Sequence, residues 1–254
     1  MVPISAVLIT QDEARHLPAA LDSVRFCEEI VVVDCGSRDG TRRIAEAAGA
    51  RVIVHEPWPG FVAQRNFAAQ SARHDWLLAV DADERVSPGL RQEIQGRRAA
   101  GFTHAGYRIP RVARYLGRWI RGTDWYPDPQ LRLWDRRRGR WEGALIHESV
   151  KVSGSVGRLR HELEHLTYED IADHLRTIDS YTTLWARQAF AEGRRTGPLE
   201  AVAACAWAFF RNYVLRRGAL LGSAGLTVST LNATYTYVKL AKLLELQQGV
   251  VPGR

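Results

Sequence analysis

Four short apolar runs punctuate the first eighty residues: Ile4–Thr10, Ile30–Val33, Arg51–His55 and Trp76–Val80. Helical patterns fall between them. Ala14–Val24 spaces Leu17, Leu21 and Val24 along one face, Asp39 is placed to cap a helix over Thr41–Ala48 that leaves at Gly49, and Phe61–Ala72 forms a third helical segment. Strands alternating with helices at this pitch predict βαβ units, and hence a mostly parallel sheet covered by helices on both faces. Such sheets bind ligands beyond the carboxyl ends of their strands. Thr10–Glu13, Asp34–Asp39 and Asp81–Glu84 all fall at those ends, so three polar clusters converge on one rim.

The pattern changes further on. Tyr107–Arg111, Gln130–Trp134 and Val150–Ser153 read as short strands among glycine- and aromatic-rich loops. From Asp170 the chain turns helical, over Asp170–Glu192, Leu199–Arg217 and Ala224–Gln247, with Gly193–Pro198 as a hinge. These shifts predict one α/β domain over residues 1–168 (halves about 1–100 and 101–168) followed by a helical region over 169–254. Hydrophobic residues at 46% and charged residues at 25% describe an ordinary globular chain, enough at 254 residues to bury a sizeable core. Cys27, Cys35 and Cys205 form no disulfide framework and point to a reducing compartment. Met1–Thr10 lacks the basic start and long apolar stretch of a signal peptide. The net charge of +7, carried mainly by arginine, suits anionic partners (nucleic acid, phosphorylated metabolites or an acidic membrane surface), and a GC-rich genome gives the same arginine bias equally well.

Two clusters carry chemistry. Asp81 and Asp83 follow an apolar strand, and on a strand residues two apart project to the same side, an arrangement suited to Mg²⁺ or Mn²⁺ bridging a diphosphate. A solvated turn or a helix cap gives the same Asp-x-Asp pattern. The stretch Asp34-Cys35-Gly36-Ser37-Arg38-Asp39-Gly40-Thr41 has neither a Walker nor a G-x-G-x-x-G pattern. Its short acidic side chains suit a base N–H or ribose hydroxyls, and equally an Asx turn leading into a capped helix.

In order, Val7-Leu8-Ile9-Thr10-Gln11-Asp12-Glu13, Asp34-x-Gly36-Ser37-x-Asp39-x-Thr41, Gln64-Arg65-Asn66-Phe67-Ala68 and Asp81-Ala82-Asp83-Glu84 resemble the successive signatures of family 2 glycosyltransferases. Gln11-Asp12 departs from the Lys/Arg-Asn more frequent there. Leu116–Ile120, Trp125–Leu133, His147-Glu148-x-Val150 and His165–Tyr168 resemble the branch that includes bacterial lipopolysaccharide inner-core glucosyltransferases. The resemblance implies a GT-A fold, a UDP-sugar donor (UDP-glucose in that branch), Mg²⁺ or Mn²⁺ as cofactor, and inversion at the anomeric carbon. It also implies a lipid-linked saccharide acceptor, or in its nearest alternatives another envelope glycan or a protein. Carried over position by position, donor contacts fall to Thr10, Asp12, Glu13, Asp34, Ser37, Asp39, Arg65, Asn66, Asp81 and Ala82. Asp83, Asp81 and His165 would hold the metal. Inversion needs a carboxylate to take the acceptor hydroxyl proton; Glu148 is the first candidate and Asp128 the second. Trp125, Tyr126 and Arg132 would face the acceptor.

A rival motif is His161-Glu162-Leu163-Glu164-His165, which matches the zinc-hydrolase pattern H-E-x-x-H if Val156, Leu159, Leu163 and Leu166 share one face of a helix. Tyr168 and Ile171 break its metzincin continuation. In the tail, the apolar stretch Ala201–Phe210 with Trp207, Phe209, Phe210, Tyr213 and nearby arginines suits a helix lying in a membrane interface, or equally one packed on the sheet or on a second subunit. Taken with the resemblance, this predicts a cytoplasmic enzyme, peripheral at the inner face of the cytoplasmic membrane, and makes nucleic acid the least expected partner.

Overall fold

The computed structural model describes residues 1–143 and 148–249. The chain divides into two compact units, one formed by Met1–Val112 with Asp128–His165, the other by Ala113–Pro127 with the chain from Leu166 onward. The second unit thus takes in a segment, Ala113–Pro127, that a division at Tyr168 leaves with the first.

The elements begin with β1 (Ile4–Thr10), α1 (Leu17–Ser23), β2 (Glu29–Asp34), α2 (Thr41–Ala47), β3 (Arg51–Val54), α3 (Phe61–Ser71) and β4 (Trp76–Ala79). Next come β5 (Glu84–Val86), α4 (Pro88–Ala100), β6 (Gly106–Tyr115), β7 (Arg118–Ile120) and β8 (Asp128–Asp135). The strands finish with β9 (Gly139–Glu142), β10 (Ser149–Val152), β11 (Val156–Arg158) and β12 (Leu163–Leu166). The main sheet runs β3-β2-β1-β4-β8-β6-β12-β5. Its first four strands are parallel, as the βαβ pattern predicts, whereas β8 runs antiparallel to both β4 and β6, and β12 antiparallel to β5, so the sheet is mixed.

Burial explains the parallel half. β1 is buried along nearly its whole length because both sheet faces are covered. Ile4, Ala6 and Leu8 pack toward Leu17 and Leu21 of α1 and Leu90 and Ile94 of α4, while Val7 joins Val31, Leu77, Ala68 of α3, Trp134 and Trp141 on the other face. Ser87 caps α4 by accepting the Leu90 N–H at 3.3 Å, and Pro88 occupies its first turn.

In the second unit, α5 (Ile171–Ala191), α6 (Pro198–Phe210) and α7 (Gly222–Gln247) pack together. The helix expected over Leu199–Arg217 ends at Phe210 and gives way to a π-helical turn over Arg211–Leu215 and a 3₁₀ turn over Gly218–Leu221. That tight return demands glycine, since a Cβ on Gly225 would run into the Gly218 carbonyl. The buried Asn212 fixes the corner, its Oδ1 accepting from the Asp124 N–H at 2.8 Å and from Asn232 Nδ2 at 2.8 Å. No helix among the described residues is long and apolar enough to cross a membrane.

Candidate active site

The loops that leave β1 and β2 are laced together at the carboxyl end of the sheet. Three consecutive main-chain N–H groups donate across the gap: Asp12 to Ser37 Oγ at 2.9 Å, Glu13 to Thr41 Oγ1 at 2.8 Å, and Ala14 to Asp39 Oδ2 at 3.0 Å. Asp12, left-handed at φ 55°, returns the link by accepting the Arg38 N–H at 2.8 Å. The residue flanking α2 is Gly40, yet Asp39 still accepts the Thr41 N–H at 2.9 Å. Asp34 is fully buried beneath this lacing, where it accepts from the Ser37 N–H at 2.9 Å and the Thr10 hydroxyl at 3.2 Å. Its carboxylate therefore orders the loop whose outer face is the rim.

Beyond β4 the chain does not continue as a strand. Ala82 and Asp83 form a turn, so Asp81 and Asp83 diverge instead of projecting together. Asp81 enters a ladder of alternating charge. Glu148 Oε1 lies 3.8 Å from Arg65 Nε, and Arg65 Nη1 donates to Asp81 Oδ1 at 2.7 Å. Arg132 Nη2 donates to Asp81 Oδ2 at 2.7 Å and to Glu84 Oε1 at 3.0 Å. Arg111 then joins Glu84 at 3.3 Å to Asp128, to which its Nε and Nη2 donate at 2.9 and 2.6 Å. Burial works against the Asp81 carboxylate, but Arg132 and Arg65 outweigh it and hold it well below the usual carboxylate range. Burial likewise opposes the Arg132 charge, and Asp81 and Glu84 more than offset it. The two base candidates, Glu148 and Asp128, terminate the ladder at its opposite ends.

Asp83 turns the other way. Its Oδ2 lies 3.0 Å from His165 Nε2, a pairing set by the β5–β12 register that places His165 opposite Glu84. Both remain partly open to solvent, at 33% and 18% side-chain exposure. Close by, Glu13 is pushed up to about 7 by burial first and then by the negative charge of Asp83, Asp39, Asp81 and Asp12. No group of three or more metal-ligating side chains occurs among the described residues. One carboxylate and one imidazole in a negative field nevertheless fit Mg²⁺ or Mn²⁺, which take few protein ligands when substrate phosphates complete the shell.

Several expected site residues have other tasks. Asn66 spends both ends of its amide on the Trp141 main chain, donating to the carbonyl at 2.9 Å and accepting the N–H at 3.0 Å. It thereby fixes Trp141, whose ring lies 4.6 Å from the Arg65 guanidinium and 5.7 Å from that of Arg132. Asn66→Ala should cost about 1–3 kcal/mol of stability by orphaning these groups, measurable by urea unfolding. Ala82 is buried in the turn. Arg132, expected to face the acceptor, is only 5% exposed and is a rung of the ladder. Trp125 belongs to the second unit, where its Nε1 donates to Asn232 Oδ1 at 3.1 Å and it lines an aromatic pocket of about 220 Å³ with Tyr168, His174, Tyr181 and Tyr235. Tyr126 precedes a cis peptide bond to Pro127 in the same unit. His147 lies outside the described residues.

The H-E-x-x-H reading fails on geometry. His161 and Glu162 precede a strand, β12, so residues 161–165 form no helix and the two histidines do not share a helical face. His161 is instead 2.9 Å from Glu93 Oε2 of α4, while His165 meets Asp83. Arg111 and Trp141 went unnoticed in the sequence, because Arg111 arrives through the β6–β8 pairing and Trp141 through its main-chain bonds to Asn66.

The model of the family described as "Glycosyl transferase family 2" matches residues 5–153, more than half of the chain. A lipopolysaccharide core biosynthesis glycosyltransferase, LpsC, from Rhizobium meliloti is 28% identical over 96% of this chain and 93% of its own length. An uncharacterized glycosyltransferase from Rickettsia felis is also 28% identical, over 96% and 90%. Among solved structures, glucosyl-3-phosphoglycerate synthase from Mycobacterium tuberculosis, in complex with Mn²⁺, UDP and glucosyl-3-phosphoglycerate, is 24% identical with a TM-score of 0.38. That match covers 44% of this chain and 44% of that one, so less than half of either is aligned. With its strand-end site carried on a Rossmann-like mixed sheet, the chain belongs to the family 2 glycosyltransferases and has their GT-A fold.

Proposed function

We propose that the enzyme transfers glucose from UDP-glucose, with inversion, to a lipid-linked saccharide of the lipopolysaccharide core, working in the cytoplasm at the inner face of the cytoplasmic membrane. The observation that carries this reading is the open Asp83–His165 pair beside Glu13 at the strand ends, separate from the arginine-neutralised Asp81. The likeness to LpsC over nearly the full chain supports the acceptor class.

In this reading the laced loops, with Thr10, Asp12, Asp34, Ser37 and Asp39, shape the nucleoside end. Arg65 and Asp81 border the ribose and diphosphate. Asp83 and His165 would hold Mg²⁺ or Mn²⁺, which when bound stabilises charge on the departing diphosphate. Glu148 takes the acceptor hydroxyl proton as the new bond forms. It suits that task better than Asp128, whose oxygens are committed to Arg111 and to Gln130 Nε2, the latter at 2.5 Å.

Thermal unfolding with UDP-, GDP- and TDP-sugars, each with and without Mn²⁺, tests the donor and metal together. UDP-glucose with Mn²⁺ should stabilise by about 2.7 kcal/mol at a hundredfold excess over Kd, and Asp83→Ala should remove the metal-dependent part. Equal stabilisation by a GDP-sugar would refute the donor. Mn²⁺-dependent UDP release surviving Asp83→Ala would refute the metal assignment.

A further inference from the structure

The exposed apolar surface gathers in one stretch of the helical unit. Among the described residues, eight of the twenty exposed large apolar side chains fall between Leu199 and Leu226. Leu199, Val202, Trp207, Phe210 and Val214 recur at helical spacing along α6 and the π turn, and Leu215 and Leu220 are exposed in the turns that follow. Leu199 is 84% exposed and Leu220 78%, whereas Ala201 and Ala208 on the opposite side of α6 are buried. A solvated helix has no need of such a face.

The same stretch is mainly basic, although Arg194 is held by Glu192 at 3.2 Å. Residues 193–222 contain Arg194, Arg195, Arg211, Arg216 and Arg217 against the single acid Glu200. Asp124 gathers two of these arginines: Arg211 pairs with it directly and Arg216 Nε approaches it to 3.8 Å, yet their side chains stay 44% and 55% exposed.

We propose that this face docks on an anionic lipid bilayer, with α6 lying in the plane of the interface, Trp207 and Phe210 among the upper acyl chains and the arginines on headgroup phosphates. The thirteen residues of α6 span only about 20 Å, against the roughly 30 Å of a hydrocarbon core, so the helix lies on the membrane instead of crossing it. A second copy of the chain is the poorer occupant, because a two-fold contact through this face would press one arginine cluster toward the other. The proposal deepens the membrane location given above but rests on a surface of the helical unit, independent of the donor assignment.

Flotation of the full chain with phosphatidylcholine vesicles, with and without phosphatidylglycerol, tests it. The chain should float only with the anionic vesicles and be released by about 0.5 M salt. Trp207→Ser with Phe210→Ser should lower vesicle partition roughly tenfold or more. Arg216→Gln with Arg217→Asn should lower it about fivefold per arginine at low salt. Metal-dependent UDP release in solution should be unchanged in both double variants, so a failure of the donor reading would show separately. Vesicle binding unaltered in both variants would overturn the proposal. So would the absence of binding together with a dimer, seen by light scattering, that Trp207→Ser with Phe210→Ser dissolves.

Discussion

Replacing Glu148 by glutamine is expected to cut sugar transfer by about 10²–10⁴-fold while leaving UDP-glucose binding in place. The substitution keeps size and hydrogen-bonding reach but removes the proton acceptor. The 3.8 Å contact with Arg65 is loose, so little structure depends on it. Asp128→Asn should instead disturb the Arg111 end of the ladder and act mainly through stability. The measurement is single-turnover transfer beside donor affinity for both variants. Near-normal turnover in Glu148→Gln would move the base elsewhere, with Asp128 next in line.

The second large effect concerns Arg132. Arg132→Met should destabilise the protein by about 3–5 kcal/mol at pH 7, because it strands buried carboxylates while filling the space of the side chain. Glu84, with no exposed surface, would keep only Arg111 at 3.3 Å, and Asp81 only Arg65. The pH dependence has a definite sign. A carboxylate held below its ordinary value, as Asp81 is, contributes stability above the unfolded-state pKa of about 4 and loses it as pH falls. The gap between wild type and Arg132→Met should therefore narrow below about pH 4, since a protonated carboxyl no longer needs its partner. Urea unfolding across that range measures it, and a gap independent of pH would show that lost packing, not stranded charge, is responsible. Adding Asp81→Asn to the variant should recover part of the loss.

The parallel half of the sheet was legible because strands buried on both faces leave unbroken apolar runs, as in Val31-Val32-Val33 and Trp76-Leu77-Leu78-Ala79. β5 and α4 were not. Glu84–Val86 is too short to show alternation, and α4 buries only Leu90 and Ile94 among arginines and glutamines. Leu159 and Leu163 mimicked helical spacing around His161 although both belong to the sheet core, an ambiguity inherent in short apolar runs. At the site, the carboxyl ends of the strands followed from the βαβ pattern, whereas the grouping of Asp83 with His165 came from the family resemblance, which also included Asp81. The tasks of Asp81, Asn66 and Arg132 did not, because each depends on partners far off in the chain: Asn66 on Trp141, Asp81 on Arg65 and Arg132, and Arg132 on Asp81 and Glu84.

The ladder from Glu148 to Asp128 has four carboxylates and three guanidinium groups, and every arginine in it serves two neighbours. Sequence drift along such a row is constrained by parity. A change of sign at one interior rung takes a partner from each of two neighbours, so replacements there are best tolerated as matched sets spanning adjacent rungs. The terminal rungs each answer to a single arginine, so Glu148 is held in place by its proposed role as proton acceptor and not by the row, and Asp128 by Arg111 alone. Descendants of this chain would thus inherit the middle of the ladder as a block, with electrostatically tolerated variation confined to the Asp128 end.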